Sequence, residues 1–122
     1  MTITATVRFK SSLSLKEVFE VTRRVVDTPI NAPPPDVLTE EDSVTLSNPC
    51  CIGAKALAWA TYFYEDQRFH VFFDIPSCSN TDLDQVMTDL IQHLELTEWA
   101  WNYDLNDEWI GNVLPSAKTT SV

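Results

Sequence analysis

Apolar and polar positions alternate strictly at the start of the chain. Ile3, Ala5, Val7 and Phe9 are set against Thr2, Thr4, Thr6, Arg8 and Lys10. A period of two on β-favouring residues predicts a strand over 2–10. The period then lengthens: Leu15, Val18, Phe19, Thr22, Val25 and Val26 recur at helical spacing. Ser14 with Glu17 three residues on predicts a capped helix start, and Pro29 sets its limit. Residues 28–42, with Pro33-Pro34-Pro35 and the acids Asp36, Glu40, Glu41 and Asp42, read as an extended, exposed connection with polyproline character. Val44 and Leu46 predict a short strand over 43–47, closed by the Asn48-Pro49 turn. Stronger strands follow at 55–64 and 68–75, joined through Glu65-Asp66-Gln67 as a hairpin. Leu83, Val86, Met87, Leu90, Ile91 and Leu94 fit an amphipathic helix over 81–95 without a miss. Trp99, Trp101 and Tyr103 share one face of a strand. The Asn106-Asp107 turn leads to a short final strand within 109–114.

The order β-α-β-β-β-α-β supplies only two amphipathic helices, too few to cover both sides of a wide sheet. The expectation is an α+β two-layer sandwich, with both helices on one face of a mainly antiparallel sheet, and a ferredoxin-like variant fits the element order. One domain over 1–114 and a disordered tail over 115–122 follow. Trp99, Trp101 and Tyr103 read as core beneath a helix, the alternative being that one or two of them stand on the open sheet face as interface anchors. A three-residue hairpin loop would pair Phe63 with Phe69 and gather Leu57, Trp59, Phe63, Phe69, Val71 and Phe73 on the helix-covered side. Tyr62, Tyr64, His70 and Phe72 would then stand on the outer face, near Glu65, Asp66 and Asp74. Both hairpin faces carry large rings, more than one core needs, which points to a contact surface.

Charge sharpens this. The net charge is −10, and its distribution is uneven. Residues 1–35 carry five basic and three acidic groups; residues 36–122 carry three basic and fifteen acidic groups. Between Arg68 and Lys118 there are nine acids and no lysine or arginine, and three of the four tryptophans lie there. Such a surface suits a basic protein partner and not a polyanion, so no direct nucleic-acid binding is expected. Only two glycines are present, which argues against a phosphate-cradling loop. No apolar run is long enough to span a membrane. The N-terminus lacks the basic start and apolar block of a signal peptide, so a cytoplasmic location is expected.

Candidate chemistry is thin. Cys50, Cys51, Cys78, His70 and His93 show neither C-x-x-C nor H-x-x-x-H spacing, and adjacent cysteines serve one metal poorly, so no metal is expected. Cys78 precedes a helix start but has no basic neighbour in sequence and reads as an inert thiol. Asp82 and Asp84 fall in a first helical turn, where the macrodipole favours carboxylates. Asp104, Asp107 and Glu108 lack the spacing and central glycine of a calcium loop. No catalytic residue and no cofactor are assigned. The interaction candidates are Tyr62, Tyr64, Phe72, Glu65, Asp66, Asp82, Asp89 and Trp109, the acids and rings expected of a contact with a basic, partly apolar surface.

Three segments carry a resemblance: Pro49-Cys-Cys-Ile-Gly-Ala-Lys-Ala-Leu-Ala-Trp59, His70-Val-Phe-Phe-Asp-Ile75 and Ala100-Trp-Asn-Tyr-Asp-Leu-Asn-Asp-Glu-Trp109. Over about half the chain they resemble small uncharacterised proteins encoded by phages of actinobacteria, of the mycobacteriophage accessory type. The shared motifs are packing and turn signatures and transfer no functional residue. The resemblance implies a phage accessory protein that binds a host or competing-phage protein, in the cytoplasm of the bacterial host. The alternatives are a homodimer built on the same surface, a small enzyme or ligand-binding domain with a pocket between helices and sheet, and an acidic nucleic-acid mimic that inhibits a basic DNA-binding protein.

Overall fold

The computed structural model describes residues 2–48, 54–76, 82–104 and 109–111. In chain order the elements are β1 (Thr2–Phe9), α1 (Leu15–Val25), β2 (Asp36–Thr39), β3 (Ser43–Ser47), β4 (Leu57–Phe63), β5 (Arg68–Pro76), α2 (Leu83–His93), β6 (Trp99–Tyr103) and β7 (Ile110–Gly111). The strands form one sheet in the order β2-β3-β4-β5-β1-β6-β7, and every neighbouring pair is antiparallel. Both helices pack on one side of it, giving the α+β sandwich that the hydrophobic periods predict. The inner four strands, β4-β5-β1-β6, have the split βαβ arrangement of a ferredoxin-like fold. β1 and β4 run in the same direction with β5 between them, and β6 closes the far side. The β2-β3 hairpin and the short β7 extend this core at its two edges. The expected tail over 115–122 lies outside the described residues.

The helices start and stop where local chemistry requires. Ser14 Oγ accepts from the Glu17 backbone N–H at 3.2 Å, and the Glu17 carboxylate accepts from the Ser14 N–H at 3.0 Å, a reciprocal capping box. These bonds hold the Glu17 carboxyl below its ordinary range. Asp82 caps α2 by accepting from the Gln85 N–H. Each helix ends in a Schellman turn. Thr28 N–H reaches Arg23 O (2.9 Å) after α1, and Leu96 N–H reaches Ile91 O (3.1 Å) after α2. The left-handed residue in these turns is Asp27 (φ 58°) and Glu95 (φ 53°), positions usually given to glycine.

The core lies between the helices and one sheet face. β1 contributes Ala5, Val7 and Phe9, and β5 contributes Phe69, Val71, Phe73 and Ile75. α1 contributes Val18, Phe19, Val21 and Val25; α2 contributes Leu83, Val86, Met87 and Leu90. Phe9 and Phe69 stack across the two central strands with centroids 5.5 Å apart. Trp99, Trp101 and Tyr103 stand opposite Phe9, Val7 and Ala5 and pack half-buried against this core on the helix side. The space between the layers is therefore filled by rings and aliphatic side chains.

Two local expectations are corrected. The stretch over 28–42 is not connection throughout. Asp36–Thr39 forms β2, an edge strand paired to β3 around Glu41-Asp42, with Glu40 N–H donating to Ser43 O at 2.8 Å. From that bond the ladder alternates, so Val37 and Thr39 turn their backbone groups away from β3 toward the free edge. The second correction is the β4-β5 register. Phe63 pairs with Arg68 and Tyr62 with Phe69, so the loop holds four residues, Tyr64 to Gln67. The side chains of β4 are thereby moved to the opposite faces from those expected. Ala58 and Ala60 face the helices, and Leu57, Trp59, Thr61 and Phe63 face outward. The cause is α1, which packs over β4; alanine leaves room for its approach where tryptophan or phenylalanine would not.

Candidate functional site

The sheet face turned away from the helices carries the side chains with no structural assignment in the core. Cross-strand pairing orders them. Trp59 on β4 stands opposite Phe72 on β5, which stands opposite Thr6 on β1. One step along, Thr61, His70 and Arg8 form the next row, and Phe63 pairs with Arg68 beyond it. In the other direction lie Asp74 and Thr4. Trp59, Phe63 and Phe72 are half-buried. The His70 ring meets Phe63 edge-on at 4.7 Å and Phe72 at 6.3 Å. A shallow hollow of about 310 Å³ opens between Thr4, Thr45, Trp59, Thr61, Phe72 and Asp74. Its hydroxyls are ordered: Thr45 and Thr61 Oγ1 atoms share a hydrogen bond of 2.8 Å, and Thr4 Oγ1 donates to Asp74 Oδ1 at 2.9 Å.

The far end of the same face is positive, against the −10 of the whole chain. Arg8, His70 and Arg68 lie together there. Burial lowers the Arg8 pKa, and the neighbouring Arg68 lowers it further. Trp109 covers Arg8, with the guanidinium carbon 4.0 Å from the ring centroid, a cation–π contact. The Nε atoms of Arg8 and Arg68 are buried and have no hydrogen-bond partner among the described residues. His70 is pushed down to about 4, first by burial and then by Arg8 and Arg68; Asp66 pulls in the opposite direction.

This has a consequence for stability. In the unfolded chain His70 takes its proton near 6.5, while in the fold it stays neutral down to about 4. Between those values the unfolded state binds more protons. The His70 contribution is complete above about pH 6.5 and is lost as pH falls toward 4, on the order of 2–3 kcal/mol. Urea melts of the parent and His70→Gln from pH 7 to pH 4 check this. The parent should lose more stability than the variant by about that amount, and NMR titration should show a neutral His70 ring at pH 5.5. Equal slopes for the two proteins would refute it.

The eight residues singled out in sequence do not share one surface. Phe72 and Trp109 stand on the open face. Tyr62 does not: it lies on the helix side, 4.8 Å from the Phe69 ring, beside a groove lined by Lys10 to Leu15. Its expected outer position followed from the three-residue loop and is corrected with it. Tyr64, Glu65 and Asp66 are exposed at the hairpin tip. Asp82 is the α2 cap, and Asp89 on α2 accepts from the Gln85 side chain at 2.8 Å, in the other layer. Sequence reading passed over Trp59, Phe63, Arg8 and Arg68 as open-face residues. The available signal was the alternation of Ala58 and Ala60 with Trp59 and Thr61, which marks a strand face pressed by a helix.

Among the described residues no group of three or more histidine, cysteine, aspartate or glutamate side chains is placed to hold a metal ion. His70 and His93 belong to different layers, and Cys50, Cys51 and Cys78 lie outside the described residues. Among the described residues no helix is long and apolar enough to cross a membrane. A scan against protein-family models and searches of curated proteins and of solved structures give no match to this chain.

Proposed function

We propose that this protein is a protein-binding module, a phage accessory factor whose open sheet face receives a host or competing-phage protein with a basic surface. The observation that carries the reading is the set of rings Trp59, Phe63 and Phe72 on a sheet face that neither helix covers. Aromatic side chains of this kind are the usual anchors of interfaces, and half-buried rings bind with little loss of rotamer freedom. Acids rim the face: Asp74 on β5, Glu65 and Asp66 at the hairpin tip, Asp36 and Glu40 to Asp42 around β2. They favour encounter with a basic surface.

The test is a Trp59→Ala, Phe72→Ala double variant. Circular dichroism and urea melts establish that it is folded; pull-down from host lysate and sedimentation then compare it with the parent. The reading requires a partner captured by the parent and lost by the folded double variant. If the double variant is unstable, Trp59→Ala alone is compared in the same way. A folded variant that keeps every partner and the parent's oligomeric state would show that the face is not the contact.

A further inference from the structure

We infer that the hollow beside Trp59, Phe72 and Asp74 is a socket for one cationic side chain, a lysine or arginine presented by the bound partner. This rests on the reading of the open face as the contact for a basic surface. Three features of the hollow specify the ligand. First, it is lined by Trp59 and Phe72, directly opposed across β4 and β5. The face of an indole is the strongest π partner for an ammonium or guanidinium group. Second, its end is closed by Asp74. One carboxylate oxygen accepts from Thr4 Oγ1, and Asp74 has no ion pair among the described residues. Third, two hydroxyls of the lining are held in place by each other. Thr45 and Thr61 share one hydrogen bond, and the lone pairs it leaves on their oxygens can accept from a cationic donor.

Size and surroundings agree. At about 310 Å³ the hollow is at the lower end of ligand-pocket sizes, suited to one long side chain and not to a helix or a strand. The Arg8 guanidinium does not oppose a cation here, and His70, opposite the lining residue Thr61, is neutral above about pH 4. Arg8 stands four positions along β1 from Thr4, the residue bonded to Asp74, roughly 13 Å at the rise of a strand. That separation exceeds the screening length of about 8 Å at physiological ionic strength. A carboxylate ligand would meet Asp74 at the hollow itself, so the cation is the better match.

The experiment uses the full-length ¹⁵N-labelled protein and three small probes: the N-acetyl methylamides of lysine, arginine and norleucine. The lysine and arginine probes should move the Trp59 and Thr61 amide signals saturably, and norleucine, which has the stem without the charge, should not. Asp74→Asn keeps an oxygen for Thr4 and should weaken the cationic probes by about fivefold or more. Norleucine matching lysine, Asp74→Asn binding as tightly as the parent, or no saturable shift from either cationic probe would each overturn the socket. Partner capture separates this from the reading beneath it. If Asp74→Asn captures the partner as well as the parent does while the Trp59, Phe72 double variant loses it, the contact face stands and the socket falls. If the double variant keeps the partner, the face itself is wrong.

Discussion

Ala60→Asp is expected to leave the chain unfolded at neutral pH. Ala60 is fully buried on the helix side of β4, opposite Val71 of β5 and beneath α1. A carboxylate there would have no described cation beside it. Burying an unpaired charge costs several kcal/mol, comparable with the whole 5–15 kcal/mol that holds a domain together. Phe63→Asp is the matched control. Phe63 is on the opposite face, paired with Arg68, where a carboxylate would meet a guanidinium instead of a core. That variant is expected to stay folded. Far-ultraviolet circular dichroism of the two decides the hairpin register, because a three-residue loop would exchange their positions. A folded Ala60→Asp with an unfolded Phe63→Asp would show that the register described above is wrong.

The second large effect is at Leu90. This side chain is fully buried on α2, in the same cluster as Val86 and Met87 and the central strands. Leu90→Ala removes packed methyl groups from a layer that already has its volume filled, and is expected to cost about 2–5 kcal/mol. Gln92, two residues along the same helix and exposed, is the reference. Gln92→Ala should change stability by no more than about 0.5 kcal/mol. Urea melts with both variants measure the difference. A Leu90→Ala loss as small as that of Gln92→Ala would mean that α2 is rotated from the orientation described.

How much of this was legible in the sequence depends on which forces a residue answers to. α2 was readable because Leu83, Val86, Met87 and Leu90 face one sheet, and a helix has no second way to bury them. β1 was readable for the same reason, with Ala5, Val7 and Phe9 inward. The α1 cap was readable because Ser14 and Glu17 bond only to their own neighbours. β4 was misread because its pattern is ambiguous until α1 is in place. Taken alone, Leu57, Trp59, Thr61 and Phe63 look like the buried set, being larger than Ala58 and Ala60. The distance between helix and strand reverses that preference, and such a distance is a tertiary quantity. β2 was missed because its four residues bury almost nothing; it exists through its ladder to β3. The candidate site suffered most. Phe72 was placed on the correct face, but its partner Trp59 was assigned to the core. The positive pair of Arg8 and Arg68, with the neutral His70 beside them, joins residues sixty positions apart in an otherwise acidic chain.

The free edge of β2 also bears on how the protein treats copies of itself. Its outward backbone groups at Val37 and Thr39 form a template that another strand could extend, and the Val37 and Leu38 side chains are 63% and 58% exposed. Two such edges laid antiparallel would bring Asp36 and the Glu40-Glu41-Asp42 run of one copy against those of the other. The edge is thus open to a foreign strand carrying lysine or arginine and closed to its own kind. Strand-by-strand growth into fibres is opposed by charge, where many edge strands rely on a proline or a bulge. Pro33, Pro34 and Pro35 just before the strand add a second stop, since none of them has an N–H with which to lengthen the ladder.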